Sequence, residues 1–107
     1  MHLLQIQWLC GSKEEAQHVV NILLEKRLIA CANMCEVSSY YVWNGKQEKR
    51  LEIKVEMKTL SRMFDRVAGV ISEHGSYQVP CIMGHLMDHV NRDYLSWVIQ
   101  SVEPMKK

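Results

Sequence analysis

The chain has 107 residues, 23% of them charged, and its 13 Lys and Arg nearly balance 12 Asp and Glu for a formal net charge of +1. That length suits one domain over residues 1–107 with a single modest core, and the interspersed signs exclude a basic stripe for nucleic acid or a cationic amphipathic face for a membrane. The first eight residues carry neither a basic leader nor a continuous apolar run, so the expected location is cytoplasmic and Cys10, Cys31, Cys35 and Cys81 are expected to stay reduced. Cys31 and Cys35 in particular read as small buried hydrophobes.

Leu3 to Cys10 reads as a first strand. Ser12-Lys13-Glu14-Glu15 is a capping box, with the Ser12 hydroxyl on the Glu15 amide and the Glu15 carboxylate reaching back. Ala16, Val19, Val20, Leu23 and Leu24 recur at helical steps and Leu28 continues the stripe, so a helix that ends near Arg27 packs on the sheet. Ile29 to Asn33 then leads into the next strand.

Asn44-Gly45 is a strong signal for a type I′ hairpin turn, because both central residues need positive φ. Beyond it Leu51, Ile53, Val55 and Met57 alternate with Glu52, Lys54, Glu56 and Lys58, which gives a strand with one buried and one charged face. A two-residue turn opposes Trp43 with Lys46, Ser38 with Leu51 and Glu36 with Ile53. Opposed residues share a face, so that register places Glu36 and Ser38 on the apolar side and Val37 among charges. One extra residue at Ser38-Ser39 restores Val37 and Cys35 to the core, and a β-bulge is expected there. The tip, with Tyr40, Tyr41, Val42 and Trp43, is too apolar for so short a chain to cover alone.

Thr59 reads as the N-cap of a second helix, whose stripe is Leu60, Phe64, Val67, Ala68 and Ile71 and whose left-handed stop is Gly75. Gln78-Val79-Pro80 is extended, and Cys81 to Leu86 reads as a last core strand. Asn91-Arg92-Asp93 caps a third helix with the stripe Leu95, Val98, Ile99 and Val102. The order is that of an α+β, ferredoxin-like split βαβ sandwich (βαββαβ plus a C-terminal helix), an antiparallel sheet with a long central hairpin. Such a fold leaves activity open.

The sequence contains no nucleophile elbow, P-loop, dinucleotide fingerprint or Met-x-Cys-x-x-Cys segment, and no enzyme is expected. Lys58, at the mouth of the second helix, suits an anion held by helix N-terminal amides or is simply the last exposed residue of its strand. Tyr40, Tyr41, Trp43 and Tyr77 suit a small-molecule cleft, a subunit interface, or both. His85-x-x-x-His89 has a ligand spacing but spans a strand end and a loop.

Cys31-Ala32-Asn33, Ser39-Tyr40-Tyr41-Val42-Trp43-Asn44-Gly45-Lys46, Met57-Lys58-Thr59, Tyr77-Gln78-Val79-Pro80 and Asp93-Tyr94-Leu95-Ser96-Trp97 stand in the order and spacing of the CutA divalent-cation-tolerance proteins. The chain resembles that family over nearly its whole length. The resemblance implies a homotrimer, no required cofactor, no catalysis, and a part in tolerance of copper or other divalent cations. It further implies Cys10 and His74 as copper ligands, although Gly75 stands where the family has a second histidine and Ser76 where it has a proline. An imidazole at position 75 should then strengthen metal binding. Read as residues alone, the pair is better explained by Cys10 as a core thiol and His74 as a cation at a helix C-terminus. The alternative reading is a PII-like trimer with a small anionic metabolite in clefts between subunits.

Overall fold

The strict alternation along two strands dictates which face of the sheet is covered. The computed structural model describes residues 2–104, with β1 (Leu3–Cys10), α1 (Lys13–Glu25), β2 (Cys31–Trp43), β3 (Lys46–Leu60), α2 (Phe64–His74), β4 (Cys81–Leu86) and α3 (Arg92–Ser101). All three strand pairs are antiparallel and the sheet order is β2-β3-β1-β4, as in the ferredoxin-like split βαβ fold. Ile6 and Trp8 of β1 and Val55 and Met57 of β3 share one buried cluster with Val19 and Leu23 of α1, Val67 and Ile71 of α2, and Val98 of α3. Each such side chain contributes about 1.5–3 kcal/mol, so this shared face is the main stabiliser.

The Ser12 hydroxyl accepts the Glu15 amide at 3.1 Å, half of a capping box. The Glu15 carboxylate does not reach back. It crosses instead to Ser76, accepting its N–H at 2.8 Å and its hydroxyl at 3.0 Å, because two donors on an irregular segment outweigh the one at Ser12. At its other end α1 closes in a Schellman arrangement, with Leu28 N–H on the Leu23 carbonyl, Arg27 N–H on that of Leu24, and Arg27 itself left-handed at φ 57°. The chain thereby re-enters the core at Leu28, and Leu24, expected inside, is exposed.

The hairpin differs from expectation. Asn44 and Gly45 have φ of 51° and 79°, and the ladder runs residue for residue from Trp43–Lys46 to Cys31–Lys58, with Ser38 opposite Leu51 and Glu36 opposite Ile53. There is no bulge at Ser38-Ser39. A bulge would be needed only if the helices covered that face along its whole length, and they stop at Ile53: Leu51 is 61% exposed, and Glu36 and Ser38 lie in solvent. β1 pairs β3 only from Ile53 to Leu60. Residues 46–52 therefore project past the sheet body by about 24 Å, at about 3.4 Å per residue.

Other local expectations are also corrected. Thr59 is no helix cap, because β3 continues through Leu60 and the buried Thr59 hydroxyl donates to the Leu28 carbonyl at 2.6 Å. A 3-10 turn at Ser61–Met63 leads into α2. Gly75 is extended (φ −80°, ψ 158°) rather than left-handed, and a Cβ there would lie 2.7 Å from the Ile71 carbonyl oxygen, so lack of a side chain is what the helix end requires. Cys35 is exposed, since it opposes Lys54 on the uncovered face, and Cys31 is half-buried. Cys81–Leu86 is an edge strand rather than a core one, with Met83 and Leu86 exposed.

The end of α3 is clamped from three directions. Arg27 donates to the carbonyls of Ser101 (3.2 Å) and Gln100 (2.9 Å), Arg62 to that of Glu103 (2.9 Å), and Arg66 pairs with the Glu103 carboxylate at 3.0 Å. Helix C-terminal carbonyls lack partners of their own, so Arg27 supplies them while occupying a left-handed conformation. Arg27→Ala and Arg27→Gly lose the same two side-chain hydrogen bonds, but only alanine keeps the backbone strain. The glycine variant is expected to be more stable than the alanine variant by about 1 kcal/mol in urea unfolding, with both below wild type.

Candidate functional site

A two-residue turn fixes which side chains share a face. Tyr41, Trp43, Glu48, Arg50 and Glu52 alternate onto the hairpin face that the helices leave open, continuous with Leu9 of β1 and Cys81 of β4. The segment between α2 and β4 lays Tyr77 across this face and closes a cleft of about 750 Å³. The Tyr77 phenol donates to Glu52 Oε2 at 2.7 Å, and the Arg50 guanidinium stands 5.5 Å from the Tyr77 ring centroid, within cation–π range. Burial first, then the hydrogen bond to Glu52, pushes the Tyr77 phenol well above its ordinary range. A hydrogen bond donated to the neighbouring Tyr41 hydroxyl, followed by the field of Tyr77, holds the Arg50 guanidinium above its own. Ser76, tied to Glu15, fixes the segment that carries Tyr77.

The cleft brings Tyr41, Trp43 and Tyr77 together, while Tyr40 borders it from the other hairpin face, where its ring meets the Lys49 ammonium at 5.5 Å. The cleft does not include Lys58, whose Nζ donates to Asn33 Oδ1 at 3.2 Å at the opposite end of the hairpin, away from the mouth of α2. Arg50, Glu48, Glu52 and Glu15 were not singled out from the sequence. The signal for the first three was present: the two-residue register alone places them beside Tyr41 and Trp43. Glu15 gave none, because its partner lies 61 residues away.

Cys10 ends β1, 1% exposed, with its Sγ 3.6 Å from the Ser12 carbonyl oxygen. Burial is the larger reason that its thiol is pushed up to about 11, against a lowering by a backbone hydrogen bond at Ser12 and a further rise from Glu15 and Glu52. His74 ends α2 and packs edge-to-face on His18 of α1, ring centroids 5.7 Å apart, with Glu73 Oε2 4.0 Å from its Nε2. His18 also escaped the sequence, for it meets His74 only through the packing of α1 on α2.

The comparisons with known proteins agree with one another. Residues 4–101 match the family model described as CutA1 divalent ion tolerance protein. The chain belongs to the CutA1 family. A divalent-cation tolerance protein CutA from Pyrococcus horikoshii is 40% identical over 90 residues, 84% of this chain and 88% of that one. The crystal structure of CutA1 from the same organism superposes with a TM-score of 0.91 at 35% identity, covering 94% of this chain and 99% of its own. A periplasmic divalent cation tolerance protein CutA from Archaeoglobus fulgidus gives a TM-score of 0.92 at 34% identity, over 96% and 100%.

The CutA1 family name implies divalent metals. Among the described residues no three His, Cys, Asp or Glu side chains converge as metal ligands. Cys10 is held as a thiol and metal must displace its proton, while His74 is engaged with His18. Two such donors fall short of the three or four that tight copper or zinc binding takes.

The Cys10 thiol has a directly testable pH signature. Its folded pKa of about 11 lies above the ordinary 9.0, so the native state binds that proton more tightly than the unfolded one. The stabilisation is complete below about pH 9 and is lost as the pH climbs to about 11. Urea unfolding from pH 8 to 11 should show a loss of about 2–3 kcal/mol, and Cys10→Ala should remove that part of the slope.

Proposed function

We propose that this CutA1-family chain is a non-enzymatic homotrimer that acts in the response to divalent metal ions, copper among them. The observation that carries the assembly is the projecting hairpin. Tyr40, Val42 and Leu51 on one face and Trp43 on the other are exposed beside the β2 edge, which among the described residues pairs with no strand on its outer side. Such an edge invites open-ended pairing unless an assembly closes over it, and cyclic closure does so; the number three comes from the family resemblance. The non-enzymatic part is supported by the buried, protonated state of the Cys10 thiol, which leaves it a weak nucleophile. Four free cysteines support a cytoplasmic location, although the A. fulgidus relative is named as periplasmic.

A second reading, favoured by the Tyr41–Arg50–Tyr77 cleft, is a regulatory trimer that binds a small molecule with an anionic group near Arg50. The two readings are compatible, since the hairpin that makes the cleft also makes the interface.

Light scattering at micromolar concentration should give about three times the 12.5 kDa chain mass, and Trp43→Asp should lower it and expose apolar surface. A soluble wild-type monomer would overturn the assembly. For the metal, calorimetric titration with Cu²⁺ should show weak binding that falls in both Cys10→Ser and His74→Ala; equal affinity in all three would remove these residues from the site. Gly75→His, suggested by the resemblance as a repair, introduces a Cβ 2.7 Å from the Ile71 carbonyl oxygen and is expected to lower the melting temperature before it adds a ligand.

A further inference from the structure

We propose that the cleft beside Tyr77 selects a small zwitterion with an apolar body, of the aromatic α-amino-acid kind, its carboxylate on Arg50 and its ammonium on the adjacent Glu48. This rests on the second reading above and adds to it the charge and shape of the ligand.

The lining carries Glu48, Arg50 and Glu52 at alternate positions of one strand, hence on one face and about 7 Å from one to the next. A bare anion that reaches Arg50 has a carboxylate on either side of it. A bare cation that reaches either carboxylate faces Arg50. A molecule carrying both charges is matched at each point, the complementarity by which sites discriminate between ligands of similar shape. Glu52 is buried, and among the described residues it accepts only the Tyr77 phenol, through Oε2. Arg50 stands over Tyr77 and its remaining guanidinium nitrogens are directed to no carboxylate partner among the described residues, which suits the two-oxygen geometry of a carboxylate.

The walls supply the second half of the selection. Tyr41 and Trp43 come from β2 and Tyr77 from the opposite side, so three aromatic rings surround a space of about 750 Å³, well within the range of small-molecule sites. Such rings suit stacking on a planar apolar group. A phosphorylated or polyanionic ligand has no counterpart for its extra charge, since the lining holds two carboxylates against one guanidinium.

The test uses the full chain in its assembled state and three probes that share one phenylalkyl body: phenylalanine, 2-phenylethylamine (ammonium only) and 3-phenylpropionate (carboxylate only), with malonate as an anion lacking that body. Isothermal titration should rank phenylalanine at least tenfold tighter than the other three. Arg50→Gln should bring phenylalanine to the level of the amine, and Glu48→Gln should move it toward that of the carboxylate; both positions are exposed, and circular dichroism checks that the variants fold. Phenylpropionate or phenylethylamine binding as tightly as phenylalanine would overturn the zwitterion. Malonate binding without phenylalanine would do the same while leaving an anion cleft in place. No binding by any of the four would overturn the cleft reading itself.

Discussion

The parity imposed by the Asn44-Gly45 turn is the constraint on which the rest depends. Successive residues of a strand point to opposite faces, so a connection of two residues decides at once which side chains of β2 and β3 stand together. With both turn residues at positive φ and no bulge beyond them, Ala32 and Met34 share the helix-covered face with Val55 and Met57, while Tyr41 and Trp43 share the open face with Glu48 and Arg50. Core and cleft are the two sides of one register. A shift by one residue would exchange them.

Much of the fold was legible because apolar periodicity is a local property. The element order, the α1 stripe from Ala16 to Leu23 and the alternation from Leu51 to Lys58 all follow from neighbouring residues, and the antiparallel ferredoxin-like sheet follows from their order. What misled was the assumption that a face apolar in one part is covered in every part. It produced the bulge at Ser38-Ser39 and the buried Cys35, when the helical layer simply ends at Ile53. Thr59 and Gly75 misled for a different reason: each has the residue type of a helix terminus, but the buried hydroxyl of Thr59 is claimed by Leu28 and the position of Gly75 by the crowding of Ile71. In the cleft, the aromatics Tyr41, Trp43 and Tyr77 stood out by residue type. The charges between them did not, because a Glu-x-Arg-x-Glu alternation looks the same as any solvated strand face until its register is known.

Long-range polar ties hold the irregular segments where the strands and helices do not reach. Glu15 fixes Ser76, Thr59 fixes the approach to β2 at Leu28, and Arg27, Arg62 and Arg66 hold the segment after α3. None is part of a regular ladder. Each is a charged or buried hydrogen bond of the stronger class, and each replaces a contact that a small core has too little surface to provide.

The position of β1 in the sheet has a consequence for biosynthesis. Its partners are β3 and β4, and the pairs nearest in sequence already separate Cys10 from Ile53 and Leu9 from Cys81. The β2–β3 hairpin closes a loop of only two residues. β1, made before either of its partners and carrying Leu3, Leu4, Ile6 and Trp8, has no strand to join until β3 has emerged. Closing such loops is entropically slow and leaves an apolar strand unpaired meanwhile. The amphipathic α1, synthesised immediately after it, is the first element that offers β1 a surface to lie on, so the β1–α1 unit shields the nascent chain before the sheet exists.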